Sequence, residues 1–193
     1  MQATLPLRRR PLDIIIVVFF IINLGFITYI VDFEQIAVPE AVDPAVEFTE
    51  YPVWPPAFLV DLVHWWGKNF DPVLLARPAW WKATIWIDAL IFGPFYACAI
   101  YAFIRGREWI RLPAIIVSAI LWTNVTIIIS EEIWGAHLTP ALPMVLLANA
   151  PWFLFPIFII ARMWREHPFS ALERNPAIGE KLAVAADEGN EPL

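Results

Sequence analysis

The chain has 193 residues, of which 60% are hydrophobic and 17% are charged, and its formal net charge is −6. Soluble domains carry about a quarter charged residues, so this composition indicates a membrane protein. The acidic balance excludes nucleic acid as a partner, because no basic face is present to neutralise phosphates. A single cysteine, Cys98, excludes an intramolecular disulfide and a cysteine metal cluster, and the sequence predicts no metal and no cofactor.

Four apolar runs reach the length of about 20 residues that a helix needs to cross a bilayer. The first run follows arginines 8–10, as in a signal peptide, but it is long and has no small-residue cleavage site, so we interpret it as a retained helix. The predicted fold is all-α, an integral membrane four-helix bundle over residues 12–165. Residues 1–11 precede it, and a polar tail of residues 166–193 is predicted to be disordered. The predicted spans are residues 12–31, 83–104, 112–130 and 142–161.

The basic residues are divided unequally between the two ends of the predicted bundle. Ten of the thirteen lie in the N-terminal segment, in the loop between the second and third spans, or after the fourth span. Only Lys68, Arg77 and Lys82 lie at the other end. The positive-inside rule therefore predicts that both termini are cytoplasmic.

The loop after the first span, residues 33–82, is acidic, rich in proline and too long for a plain connection. Within it, residues 56–70 have helical spacing, with Asp61, His64 and Lys68 on one face and large apolar residues elsewhere. This pattern predicts an outer amphipathic interfacial helix that covers the mouth of the bundle. The alternative is a helix that lies on the membrane surface without a role in function.

Asp88 lies within the second span, without a lysine or arginine close to it in that span. A charged aspartate in a bilayer costs about 2.5–3.5 kcal/mol on insertion scales. Asp88 must therefore face the bundle interior, bind a cation or be protonated, which makes it a candidate proton donor or a partner for a cationic ligand. The alternative is a hydrogen bond between helices.

Each of the other spans also contributes polar groups near its outer end. A few interhelical amides often serve only as packing contacts, but several carboxyl and amide groups at one depth favour a buried polar cavity. The candidate residues are Thr28, Asp32, Asn124, Glu131, Asn149 and Trp152.

Prolines and aromatic residues extend this prediction. Pro94, Pro151 and Pro156 lie inside spans, where proline removes a backbone hydrogen bond and kinks a helix. Kinked helices leave space between them, and carboxyl groups beside aromatic walls suit an apolar molecule that carries a cation. The predicted walls are Phe92, Phe95, Tyr96, Trp122, Trp152 and Phe155.

Residues 77–119 resemble the EXPERA membrane family. The resemblance consists of Pro-Ala-Trp at 78–80, an acidic residue before an apolar Gly-Pro-Phe turn at 93–95, Tyr-Ala-Phe at 101–103 and Trp-Ile-Arg at 109–111. It extends over residues 10–168, with the segments in the order found in the family. It resembles the receptor-type members most and the sterol isomerases of the family more distantly.

The resemblance implies roles for individual residues. Asp32 corresponds to the acidic ligand-binding residue of the receptor-type members, and Asp71 to a second aspartate that supports it. Asp88 corresponds to a catalytic glutamate of the isomerases, and Glu131 to a glutamate at the same place after Asn124. The stretch from Asn149 to Trp152 resembles the segment that lines their sterol site.

The chain departs from the family at two positions. Thr28 occupies the place of the catalytic histidine of the isomerases, and Asn23 the place of a histidine of the receptor-type members. The basic tail that retrieves those receptors to the endoplasmic reticulum is absent from this sequence.

Three functions remain open from the sequence. The first is binding of a sterol-like or cationic amphiphilic lipid without turnover. The second is double-bond isomerisation of a sterol-type lipid, an intramolecular oxidoreductase reaction, with Asp88, Asp32 and Glu131 as catalytic groups. The third is proton-linked transport. The partners implied are a lipophilic small molecule, the bilayer of the endoplasmic reticulum or of a bacterial plasma membrane, and, by resemblance, a second copy in a homodimer.

Overall fold

The computed structural model describes residues 5–170, which form helices joined by loops. Four of the helices are long and apolar enough to cross a membrane, which confirms the predicted all-α integral membrane bundle. Residues 171–193, most of the tail predicted to be disordered, lie outside the described residues. In chain order the helices are α1 Pro11–Ala37, α2 Ala57–Asn69, α3 Val73–Ala76, α4 Ala79–Arg105, α5 Arg111–Trp134 and α6 Leu142–Met163.

The helices that cross the membrane extend beyond the predicted apolar runs, because polar residues continue the backbone hydrogen bonding at their ends. Two of them contain wide π-helical turns, Asn23–Asp32 in α1 and Asp88–Phe92 in α4. Such turns are rare and are found mostly at functional sites. Pro94 is the second residue after the turn in α4, and Pro151 and Pro156 lie inside α6.

The helices pack as two main pairs, α5 along α6 and α1 along α4. The aromatic side chains of Phe20, Tyr96 and Phe103 are almost completely buried between α1 and α4. Large apolar side chains elsewhere, such as Leu90, Leu147 and Leu154, are exposed on the outside of the bundle. An apolar exterior is expected of a bundle whose surroundings are lipid.

One end of the bundle, formed by residues 38–78, by residues 135–141 and by the parts of the four long helices next to them, is called the acidic end below. There the short helices α2 and α3 pack on the bundle through a cluster of apolar side chains. Phe58 and Trp65 on the opposite side of α2 are exposed, whereas the sequence pattern had left lipid and bundle as alternatives for them. The buried part of the cluster consists of Val63, Val73, Leu74, Trp81 and Ile85.

The opposite end of the bundle is called the basic end. It contains a buried carboxylate whose negative charge is neutralised by two arginines. The carboxylate of Asp13 is fully buried and accepts hydrogen bonds from Arg10 at 2.6 Å and from Arg162 at 2.7 and 2.9 Å. Both guanidinium groups also lie over the ring of Phe169, at 5.0 and 5.5 Å. Arg10 donates a further bond to the carbonyl of Phe103 at 2.8 Å, so the cluster links α1, α4 and α6.

Candidate functional site

A cavity of about 380 Å³ lies between the four long helices near the acidic end and is covered by α2. This volume is within the range of small-molecule sites, and the lining is mostly apolar, as is usual for them. Every long helix contributes at least one polar or aromatic side chain. The polar lining consists of Asp32, Asp71, Thr84, Asp88, Asn124 and Asn149, and the aromatic lining of Phe26, Trp66, Trp81, Phe92 and Trp152.

Asp32 and Asp88 form a pair of carboxyl groups at the cavity wall. Their side chains are in hydrogen-bonding contact, and the hydroxyl of Thr28 donates to Asp88 Oδ1 at 2.9 Å. Two carboxyl groups can form such a bond only when one of them carries a proton. The second oxygen of Asp32, Oδ2, is buried and has no partner among residues 5–170. The pair can therefore share a proton at the wall of the cavity.

The pair depends on a close approach of α1 and α4. Asp32 ends the wide turn of α1, and Asp88 begins the wide turn of α4. Gly93 follows that turn, and a Cβ atom at this position would collide with the methyl group of Thr28. The absence of a side chain at Gly93 thus allows Thr28 to reach Asp88.

Asp71 lies between α2 and α3, and its carboxylate faces the cavity from the acidic end. It is 6% exposed, and Oδ1 has no hydrogen-bond partner in the described part of the chain. Burial raises the pKa of Asp71 from its ordinary value of 3.8 to about 6, although the backbone N–H groups of Val73 and Leu74 partly offset this effect. Asp71 is therefore mostly, but not completely, ionised at neutral pH.

Trp152 and Asn149 present different groups to the cavity. The indole N–H of Trp152 donates to Asn23 Oδ1 at 2.7 Å, and Asn23 in turn donates to the carbonyl of Phe19 at 2.7 Å. The polar edge of Trp152 is thus satisfied, and its ring remains available to a ligand. Asn149 donates to the carbonyl of Val145 at 3.0 Å within its own helix, which leaves its side-chain oxygen as an acceptor.

Several residues predicted for the site lie elsewhere. The side chain of Tyr96 is fully buried beyond Phe92, at 6.3 Å between ring centroids, and does not line the cavity. Trp122 is 40% exposed and packs on Phe153 at 5.6 Å. Thr28 is also absent from the lining and contributes only through its bond to Asp88.

Three further predicted residues also lie outside the cavity lining. Glu131 bonds to His137 at 2.6 Å, beyond the cavity. Phe155 stacks on Phe19 at 4.4 Å, and Phe95 packs edge-on to Phe20 at 5.7 Å, so both belong to the bundle core. The aromatic walls of the cavity are therefore formed partly by other residues than those predicted.

Sequence reasoning did not single out two of the tryptophans that line the cavity. Trp66 belongs to the apolar face of α2, for which the pattern left lipid and bundle as alternatives. Trp81 donates its indole N–H to Gln35 at 2.8 Å. The amphipathic pattern of α2 was the available signal for Trp66, whereas the contact of Trp81 with Gln35 depends on a packing that no local pattern encodes.

A buried polar network keeps α2 over the cavity. Glu34 at the end of α1 is fully buried and accepts bonds from Arg77 at 2.7 Å and from His64 of α2 at 2.8 Å. Gln35 donates to the carbonyl of Leu74 at 3.1 Å. Because these bonds connect α1 to α2 and to the segment after α3, they hold α2 in its position over the cavity.

Comparison with known proteins gives a consistent family match. The family described as EXPERA (EXPanded EBP superfamily) matches residues 58–163, which include the cavity-lining parts of α2, α4, α5 and α6. Sigma intracellular receptor 2 of Xenopus tropicalis is 34% identical over 119 residues, which are 56% of this chain and 70% of that protein.

Two further relatives carry the same name. The protein of Macaca fascicularis is 32% identical over 127 residues, 65% of this chain and 64% of the relative. The human protein is 40% identical over 72 residues, 36% of this chain and 41% of the relative. The aligned part of this chain thus spans less than two thirds of the length of these two relatives.

Proposed function

The chain belongs to the EXPERA family, and we propose that it binds an amphiphilic cation, such as a lipid-like or sterol-like amine, in the cavity between its four long helices. One observation carries the proposal. The carboxyl groups of Asp32, Asp71 and Asp88 line a mostly apolar cavity, and no lysine or arginine in residues 5–170 forms an ion pair with them.

The proposed contacts follow from the free acceptors and rings of the cavity. The ammonium group of the ligand pairs with the carboxyl groups of Asp32 and Asp88, and the proton that these two groups share keeps them together. The faces of Trp66, Trp81 and Trp152 favour a cation and also cover an apolar body. The three relatives are named as receptors, which agrees with binding rather than turnover.

Binding of N,N-dimethyldodecylamine to the protein in nanodiscs of zwitterionic lipid tests this proposal, with tryptophan fluorescence as the signal. Truncation of one partner of a buried charge pair typically costs about 2–5 kcal/mol, so we expect Asp32→Asn and Asp88→Asn to weaken binding by about 30-fold or more. Asp61→Asn is the matched control, because Asp61 is exposed and bonds only to Tyr51 at 2.7 Å. Equal affinities of all four proteins would overturn the proposal.

The carboxyl pair also favours a second candidate function, isomerisation of a double bond in a sterol-type lipid. One carboxyl group would donate its proton to an alkene carbon, so that a C–H bond forms, the π bond breaks and a carbocation remains. The other carboxylate would remove a proton from a neighbouring carbon, and the electrons of that C–H bond would form the new double bond. Trp152 would face the cation, and Asn149 would orient the substrate.

Expression in a yeast strain that lacks its own sterol isomerase tests this second function, with the sterols analysed by mass spectrometry. Isomerised sterol that disappears in the Asp88→Asn variant would support an enzyme. Continued accumulation of the unisomerised sterol would exclude this reaction for that substrate. Binding without isomerisation is the result that we expect, because Thr28 occupies the position of the family histidine.

We further propose that both termini are cytoplasmic and that the acidic end faces away from the cytoplasm. This orientation follows from the excess of arginine at the basic end. Labelling of single cysteines with an impermeant maleimide tests it. A cysteine in residues 43–50 should react only from the non-cytoplasmic side. We also propose, from the family resemblance, that two copies of the protein form a homodimer, and cross-linking in the same membranes tests this.

A further inference from the structure

Glu132, near the end of α5, is a buried carboxyl group that has no role in the site described above. Its side chain is 1% exposed, and neither Oε1 nor Oε2 has a hydrogen-bond partner among the described residues. Its neighbour Glu131, in contrast, is partly exposed and bonds to His137. A buried carboxyl group without a hydrogen-bond partner lowers the stability of the folded state. Such groups therefore usually serve a function or bind a ligand or ion.

The loop after α5 holds Glu132 close to Asp71. The backbone N–H of Thr139 donates to the carbonyl of Glu132 at 3.1 Å, and the hydroxyl of Thr139 donates to the carbonyl of Phe70. Phe70 directly precedes Asp71, and the two carboxyl groups lie within electrostatic range of each other. Three of their four oxygens lack a hydrogen-bond partner in the part of the chain that the structure describes.

The buried arginine of the acidic end forms an ion pair with a different carboxylate. This arginine, Arg77, is paired with Glu34. No other lysine, arginine or histidine within residues 5–170 forms an ion pair with Asp71 or Glu132. The acidic end therefore contains two separate carboxyl pairs without a cation, Asp32 with Asp88 and Asp71 with Glu132.

We propose that Asp71 and Glu132 form a second cation subsite and that the preferred ligand is an amphiphilic diamine with one ammonium group at each carboxyl pair. This inference rests on the proposed function of the cavity. Asp71 lines the cavity, and its carboxyl group accepts a hydrogen bond from the second ammonium group. Glu132 is absent from the cavity lining and acts through its negative charge behind Asp71.

Matched ligands with one and two amines test the subsite. The probes are dodecylamine and N-dodecyl diamines in which three or six methylene groups separate the two nitrogens, each measured by tryptophan fluorescence in zwitterionic nanodiscs. We expect at least one diamine to bind the natural protein about tenfold more tightly than the monoamine. Glu132→Gln should reduce this ratio to about one and leave the affinity for the monoamine within about twofold.

Glu131→Gln is the matched control, because it changes the adjacent glutamate, whose side chain bonds to His137. It should retain the preference for the diamine. Asp71→Asn provides a second variant if Glu132→Gln does not fold, and it should also remove the preference. Equal binding of all three probes by the natural protein, or an unchanged ratio in Glu132→Gln, would overturn the subsite. Failure of every probe, monoamine included, would instead overturn the proposed function itself.

Discussion

Both ends of the bundle bury acidic side chains, but the two ends differ in whether an arginine forms an ion pair with them. At the basic end, Asp13 is enclosed by two guanidinium groups, each within 3 Å of its oxygens. At the acidic end, Asp32 and Asp71 face a cavity, and neither has an ion-pair partner among residues 5–170. A charge that the protein compensates by itself stabilises the fold, whereas a charge that it leaves uncompensated is available to a ligand or a proton.

The largest effect is expected at the compensated end. Asp13→Asn removes the carboxylate and leaves Arg10 and Arg162 buried without their common anion. Removal of one partner of a buried ion pair costs about 3–5 kcal/mol, so the variant should unfold at a clearly lower temperature. Circular dichroism during thermal unfolding in detergent measures this effect. Asp61→Asn serves as the exposed control, and equal melting temperatures of the two variants would contradict a structural role of the cluster.

The next largest effect concerns Asp71, whose folded-state pKa of about 6 exceeds its ordinary value of 3.8. Because the folded state holds the proton more tightly, the stability contribution of Asp71 is fully present below about pH 4 and is lost as the pH rises through 6. The shift corresponds to about 3 kcal/mol. Thermal unfolding of the ligand-free protein between pH 4 and 8 should therefore show a steeper loss in the natural protein than in Asp71→Asn. Parallel profiles would show that Asp71 is not the titrating group.

A smaller effect is expected where α1 and α4 approach each other. Gly93→Ala places a methyl group against Thr28 and should cost about 1–3 kcal/mol, as overpacking of a core does. Gly25→Ala is the matched control, because a Cβ atom at Gly25 meets nothing within 4 Å. The separation in melting temperature between the two variants tests the contact. If Gly25→Ala were as unstable as Gly93→Ala, the loss of stability would result from the replacement of glycine in general and not from the contact with Thr28.

The smallest effect is expected from Thr28→Val, which keeps the shape of the side chain and removes its bond to Asp88. One hydrogen bond contributes about 1 kcal/mol, so binding of a cationic amphiphile should weaken about fivefold. Thr126→Val on α5 is the control, since that hydroxyl is exposed and bonds to a carbonyl of its own helix at 2.8 Å. An unchanged affinity in Thr28→Val would show that the hydrogen bond from Thr28 to Asp88 does not contribute to binding.

The sequence could indicate those residues of the candidate site whose place in the cavity depends only on their depth in the membrane. Asp32, Asp88, Asn124 and Asn149 occupy similar depths in four different spans, and all four line the cavity. A carboxyl or amide group that a span carries into the bilayer is expected to face inward, and its depth can be counted along the helix. The rotation of a helix about its axis cannot be counted in this way.

The glutamates of α5 show this limit. Glu131 and Glu132 are adjacent in sequence and about 100° apart around the helix. The resemblance selected Glu131, but the structure places Glu131 against His137 and buries Glu132. Trp122 and Trp81 illustrate the same limit, since the first lies on the outside of the bundle and the second lines the cavity.

The sequence by itself determined the four spanning helices and the division of charge between the two ends of the bundle. Both properties follow from local composition, because the transfer of each residue into lipid adds independently to the total. Only the tertiary structure decided which carboxyl groups are compensated and which face the cavity. That outcome depends on contacts between residues far apart in the chain, such as Asp13 with Arg162 and Thr28 with Asp88, which form only when the helices pack.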